Sequence, residues 1–312
     1  MGFAAAAILT GCNNDEIVNV AQKKAIGFES FVDKSTRATI EDDVTLANLS
    51  SIEVYGWRND EQIFNAQEVA VSTSGEGSYN PLQYWEAGYT YAFEAIAPKS
   101  GDKGVTFAAA KTGGEITFVN DAETDLLYAK VADVTMGESI SEKPAAVSFV
   151  FKHLLSRVMF TFVNGFPENA VAKISVTDVT ITNAYKNGVI IPATGDVWNA
   201  TDNTLVVPFA NVNATNIAAG NAAGETEHMY LIPVAEPEYT ITFTVILDQN
   251  GATTDYRHTT TINTGMAQGL SYNFVAMLTP ENIDPVTTMY PIEFKAEVDS
   301  WVDFQNSDVT LE

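Results

Sequence analysis

The sequence predicts an all-β protein built as two tandem β-sandwich domains. Apolar residues recur at every second position through many short runs, the period that puts one face of a strand against a core. The runs are separated by clusters of Gly, Asn, Ser, Asp and Pro at spacings of roughly ten to fifteen residues. No window of useful length carries a convincing helical period. The 312 residues suit two domains, and a hydrophobic fraction of 46% supplies a core to each.

The strands read in order. Ile26, Phe28 and Val32 share a parity and mark a first strand, followed by the polar loop Asp33 to Thr39. Ser51 to Trp57 is the next, with Ile52 and Val54 on one face. A turn-rich stretch from Ser72 to Pro81 leads to Tyr84-Trp85 and the turn Glu86-Ala87-Gly88. Tyr89, Tyr91, Phe93 and Ala95 then alternate, and Pro98 to Gly104 ends that strand. Glu115 to Val119 and Leu126 to Val131 complete the first set. The polar segment Met136 to Pro144 marks the domain boundary, giving 25–143 and 144–312.

At mid-chain, Val147, Phe149 and Phe151 hold one parity and Val158, Phe160 and Phe162 the other. The slip at His153 to Ser156 predicts a bulge or bend between two strands that open the second domain. Ile174 with Val176, then Val179 with Ile181, predict a bulged strand. Asn187-Gly188 carries a turn signal. Leu205 to Phe209 and Met229 to Pro233 are short strands, and Asn211 to Glu227, with little to bury, reads as a surface loop. Thr240 to Leu247, a turn at Gln249-Asn250-Gly251 and the return from Thr253 to Ile262 form a hairpin. Leu270 to Leu278 and Ile292 to Phe304 are the last strands. In the final one Ile292, Phe294, Ala296, Val298, Val302 and Phe304 share a parity, with Trp301 the exception on the polar side.

Charge and motifs narrow the function. Forty carboxylates against 16 Lys plus Arg give a formal charge of −24, which disfavours nucleic acid and anionic membrane surfaces as partners. His153, His228 and His258 stand far apart, without the three- or four-residue spacing of a zinc site. No His-Glu-x-x-His, Gly-x-Ser-x-Gly or glycine-rich phosphate loop is present. The expectation is a protein that is not an enzyme and has no cofactor. Glu41-Asp42-Asp43 reads as a solvated loop in preference to a weak calcium site. Trp57, Trp85, Trp198 and Trp301 are candidates for core packing or for a glycan-stacking platform.

The single cysteine, Cys12, follows the apolar run Phe3 to Leu9 and then Thr10-Gly11. Residues 1–11 resemble the end of a signal peptide, and Leu9-Thr10-Gly11-Cys12 resembles a bacterial lipobox, which makes Cys12 a lipid attachment site. Only Met1 and Gly2 stand before Phe3, where a charged n-region belongs, so a start further upstream is expected. Residues 12–24 read as a lipidated tether.

Several segments together resemble the fimbrillins, type V pilin-like surface lipoproteins of Gram-negative gut and oral bacteria. They are the lipobox; the early strand with Ser35-Thr36-Arg37-Ala38-Thr39; Tyr84-Trp85 through Tyr91-Ala92-Phe93 to Ala97-Pro98; Phe149 to Val158; and Gly269-x-Ser271-Tyr-Asn-Phe274. The resemblance implies transthyretin-like sandwiches, export to the outer membrane as a lipoprotein, removal of the first strand by a trypsin-like protease, and assembly with other pilin subunits by strand exchange. On it, cleavage falls at Arg37-Ala38. Arg37 lies in the polar loop and precedes a small residue, whereas Arg58, Arg157 and Arg257 fall in or beside strands. The donor strand is then the C-terminal segment with Val302, Phe304, Val309 and Leu311, alternating enough to fill a groove. The same segment also reads as the closing strand of its own domain, or as both. A second functional reading keeps the first strand in place, as a lipid-anchored adhesin or fimbrial tip that binds glycans or host ligands through exposed aromatics.

Overall fold

The computed structural model describes residues 24–32, 49–140, 145–195, 197–286 and 290–301. Among them the fold is all-β. The first part of the chain forms β1 (Phe28–Val32), β2 (Ser51–Arg58), β3 (Glu61–Val71), β4 (Glu76–Ser78), β5 (Thr90–Ala97), β6 (Val105–Ala108), β7 (Glu115–Val119), β8 (Leu127–Thr135) and β9 (Val147–His153). Then come β10 (Ser156–Asn164), β11 (Ala172–Ala184), β12 (Asn187–Ile190), β13 (Asn199–Thr201), β14 (Leu205–Pro208), β15 (Ile217–Ala218) and β16 (Ala222–Glu225). The last are β17 (Met229–Leu231), β18 (Tyr239–Gln249), β19 (Ala252–Ile262), β20 (Leu270–Leu278) and β21 (Lys295–Ser300).

The alternation read from the sequence accounts for the burial. In β9, Val147, Phe149 and Phe151 are buried while Ser148, Val150 and Lys152 face out. In β18, Ile241, Phe243, Val245 and Leu247 are buried along one face. The β18–β19 hairpin keeps register from Tyr239↔Ile262 to Gln249↔Ala252. Its two loop residues, Asn250 and Gly251, both have positive φ, the requirement of a twist-matched two-residue turn. The predicted bulge in β11 is present: the register shifts between Thr177 and Thr180, with Asp178 at a φ of 56°.

Three cores result. The first fills a sheet that closes on itself in the order β1-β4-β3-β2-β5-β8-β9, where an open sandwich was expected. Closure comes from β1, which lies parallel to β9 on one side and antiparallel to β4 on the other. Phe28, Phe64, Phe93, Phe149 and Phe151 fill its interior. The second core lies on the outer face of β2, β5 and β8. There Tyr55, Trp57, Ile96 and Tyr128 meet Val105, Phe107, Ile116 and Phe118 of the sheet β13-β12-β7-β6, and Trp198 just before β13. β2 and β5 are therefore covered on both faces, and their central residues are all buried. The third core is a sandwich of two sheets. One is β16-β10-β20-β21, with β17 also on β10; the other is β14-β11-β18-β19, with β15 on β11.

Strand pairing crosses the 143/144 position. β9 closes the first barrel, and β12 and β13 extend the sheet of β7. Asn187-Gly188 is not a turn but part of β12. Gly188 is there because a Cβ would sit 2.6 Å from the ring of Trp198. The segment from Asn211 to Glu227 is not wholly a surface loop either. It holds β15 and β16 and buries Ala214 and Ile217. β3 has a weak sequence signal for a physical reason. Only Phe64 and Val69 are deeply buried in its eleven residues, and Ala66 bends it at a φ of 53°.

Candidate functional site

Two places stand out, the slot that holds β1 and the junction between the barrel and the second sandwich. β1 pairs with β9 over five positions, Phe28↔Val147 through Val32↔Phe151, but with β4 over only two. Short backbone bonds flank it: Ile26 N–H to the Gln83 carbonyl at 2.9 Å, Ser30 N–H to Gly75 at 2.8 Å, and Val147 N–H to Gly27 at 2.8 Å. Ile26, Phe28 and Ser30 point inward and Glu29 outward. Phe28 is the anchor. Its ring centroid lies 5.3 Å from Phe64, 5.4 Å from Tyr79, 5.8 Å from Phe93 and 5.6 Å from Phe149. Gly77 makes room for it, since a Cβ there would come within 2.8 Å of Val69 and 3.1 Å of Phe28. The buried Ser30 hydroxyl has no hydrogen-bond partner among the described residues.

β9 depends on β1. On its other side it pairs with β8 only at Leu127↔His153 and Tyr128↔Lys152. Loss of β1 would therefore open an apolar groove and leave most of β9 with an unpaired edge, an arrangement that invites an incoming strand.

At the junction, Leu154 and Leu155 carry the chain from β9 to β10 and are both buried. His153 Nδ1 lies 2.8 Å from Asp125 Oδ2. The same imidazole lies against Trp301, which also stacks on Tyr230 with centroids 5.5 Å apart. The Arg157 guanidinium sits 5.6 Å from the Trp301 ring centroid, and its Nε–H donates to Ser271 Oγ at 2.8 Å. Trp198 Nε1–H donates to the Leu154 carbonyl at 2.7 Å, and Tyr230 N–H to Ala122 at 2.8 Å. Nearby, Glu94 is fully buried in β5 and accepts from Tyr128 Oη–H at 2.7 Å and Gly114 N–H at 2.9 Å. Burial first, and then this hydrogen bond to a carboxylate, push the Tyr128 phenol well above its ordinary range.

The residues singled out from sequence fall as follows. Cys12, Arg37, Ala38, Val302, Phe304, Val309 and Leu311 lie outside the described residues, as does Glu41-Asp42-Asp43. Ile292, Phe294 and Ala296 pack against the second sandwich, and β21 pairs antiparallel with β20, so this part of the last strand closes its own sheet. The expected buried face does not continue: Val298 is half exposed and Trp301 turns inward instead. All four tryptophans are buried, each under a tenth exposed, so they pack cores and do not form a glycan platform. Arg58 ends β2 in ion pairs with Glu61 and Glu86, Arg157 is buried in β10, and Arg257 lies in β19. Among the described residues no cluster of three His, Cys, Asp or Glu is placed to hold a metal ion. His258 is buried against Phe243, and burial lowers its pKa. Sequence reasoning missed the His153–Trp301 pairing. The one signal for it was the parity exception at Trp301.

The architecture is therefore all-β, with a barrel-like first sheet, a short first strand lodged between two others and a sandwich behind it. Residues 36–301 match the model of the fimbrillin-like family, and the chain belongs to that family. No curated protein matches it. Among solved structures it is similar to a candidate cell adhesion protein from Bacteroides ovatus, at 15% identity and a TM-score of 0.53, covering 91% of this chain and 99% of that one. A candidate cell adhesion protein from Bacteroides uniformis is similar at 15% identity and a TM-score of 0.51, covering 89% and 99%. The fimbrial anchor protein from Porphyromonas gingivalis aligns over 89% of this chain and 98% of its own at 13% identity, with a TM-score of 0.37. With the two cell adhesion proteins, at 15% identity, the shared property is the fold.

Proposed function

We propose that this chain is a structural, pilin-like subunit of a cell-surface fimbria, matured by removal of β1 and assembled by strand exchange. The observation that carries the reading is the seat of β1. A short strand, paired mainly on one side and anchored by Phe28 in an aromatic pocket, is joined to β2 through a segment that contains Arg37. In this reading the chain is exported as an outer-membrane lipoprotein through Cys12, and a trypsin-like protease cuts between Arg37 and Ala38. The vacated groove then takes a strand from a neighbouring subunit, with Val302, Phe304, Val309 and Leu311 as the donor side chains. Each large apolar side chain so buried contributes roughly 1.5–3 kcal/mol. The role is structural, without catalysis.

The two halves correspond, in the same proposal, to two tandem transthyretin-like sandwiches divided near 143/144, with β9, β12 and β13 supplied to the first by the second segment. β1 lies parallel to β9 in the barrel and β10 lies parallel to β20 in the sandwich, a shared use of parallel pairing that supports a common plan. A second reading, an adhesin or tip that binds glycans or host ligands, draws on the cell adhesion descriptions of the two similar structures. Mass spectrometry of the mature N-terminus from native cell envelopes separates them. Assembled material beginning at Ala38 supports the subunit reading. Surface protein that retains a lipidated Cys12 and β1 defeats it in favour of the second.

A further inference from the structure

A cleft of about 850 Å³ opens at the junction, between the outer face of β8 and β9, the Pro192–Thr194 turn and the start of β20. Its size is that of a small-molecule site, and it lies between two packed units, where such sites concentrate. Its chemistry is opposite to that of the rest of the chain. The protein carries 40 carboxylates and 16 Lys plus Arg, yet the described walls present Lys130 and Lys152 and no carboxylate. Lys152 is exposed and makes no ion pair among the described residues. Lys130 has a distant partner, with its Nζ 3.9 Å from Glu94, a carboxylate already satisfied by Tyr128 and Gly114. Of the other carboxylates close by, Asp125 is buried behind His153 and bonded to it, and Asp299 accepts from the Ser300 hydroxyl at 3.3 Å. A cationic recess in an anionic molecule concentrates anions.

The remaining walls say what kind of anion. Gln268 and Ser300 offer an amide and a hydroxyl, groups that bond neutral hydroxyls as readily as charges. Trp301 also lines the cleft, its indole held between His153 and Tyr230. Val150 presents an apolar side chain more than half exposed on the cleft floor, where the C–H face of a ring can rest. A small inorganic anion would leave most of this volume and Val150 unused.

We propose that the cleft binds a carboxylated sugar, its carboxylate held by Lys152 and Lys130 and its hydroxyls by Gln268 and Ser300. Uronic and sialic acids share this chemistry. The inference goes beyond the subunit reading and does not depend on assembly, because every residue named for it lies in one chain.

Isothermal titration of the full monomeric chain at low salt, with glucuronate and N-acetylneuraminate in separate arms, tests it. Glucose, the methyl ester of glucuronate, acetate and inorganic phosphate are the comparisons. Saturable binding is expected for at least one acidic sugar, with the ester and glucose about tenfold weaker or silent. Lys152→Glu, a change on an exposed strand position, should keep the melting temperature and weaken the sugar by about tenfold or more, while Lys152→Arg retains it. No heat from either acid, equal affinity for the ester, phosphate that binds as tightly as the sugars, or indifference to Lys152→Glu each overturns the assignment. Because the monomer is used, failure here leaves the strand-exchange reading standing, and failure to polymerise leaves this site standing.

Discussion

The imidazole of His153 lies flat on the indole of Trp301, with ring centroids 4.2 Å apart and planes 6° from parallel. His153 ends β9 in the barrel and Trp301 follows β21 in the second sandwich. The pair therefore joins the two units, with Asp125 fixing the imidazole and Tyr230 and Arg157 completing the surroundings of the indole.

Trp301→Ala should lower stability by about 3–5 kcal/mol, the usual cost of emptying a large buried aromatic site. Trp301→Phe, which keeps part of the stacking, should cost distinctly less. Denaturant unfolding followed by circular dichroism checks both, and equal midpoints for Trp301→Ala and the parent chain would show that the junction is not held here.

Gly188→Ala should destabilise by about 1–3 kcal/mol, because the added methyl meets Trp198 at 2.6 Å in a packed core. If Asn187-Gly188 were a turn, alanine would instead be opposed by backbone strain, and Gly188→Asn would be tolerated. Thermal melts of the two variants distinguish these cases: the packed arrangement requires asparagine, the larger residue, to be the worse.

That glycine marks the limit of what the sequence shows. Local alternation is legible because burial of one face imposes it directly, as in Val147, Phe149 and Phe151 of β9 or Ile241, Phe243 and Val245 of β18. The Asn250-Gly251 turn is legible because both residues need positive φ. Choice of partner is not local. Nothing in Asn187 to Ile190 announces pairing with β7, roughly seventy residues earlier, and Asn-Gly carries the same letters in a strand as in a turn. Nor does the parity of Ile26 and Phe28 say that β1 will lie parallel to β9 and close a barrel. The burial of the tryptophans was open from composition alone. For the site, Trp301 broke the alternation of its strand because it serves a different core from Phe294 and Ala296.

The pH dependence of stability should carry a contribution from His258. Burial holds its pKa below the ordinary 6.5, against smaller upward effects from a hydrogen bond with the Ile283 backbone and from Asp284. Folding therefore favours the neutral ring. As pH falls from 6.5 toward the lowered value, the unfolded chain binds a proton that the folded one resists, so stability declines across that window. His258→Phe, which retains the contact with Phe243, should flatten the decline below about pH 6.5. Urea midpoints measured across that range check it, and parallel slopes in the two proteins would remove His258 as a contributor.

In the proposed function, β1 is a removable plug whose loss licenses assembly. The direct measurement is limited trypsin treatment of the purified chain, followed by sedimentation velocity and N-terminal sequencing. The expected outcome is a new N-terminus at Ala38, loss of residues 25–37, and growth of the product into long oligomers. Arg37→Ala should stay uncut there and monomeric, and a chain lacking residues 302–312 should be cut but fail to grow. Cleaved protein that has lost β1 and remains a folded monomer, or Arg37→Ala protein that assembles as well as the parent, would contradict it.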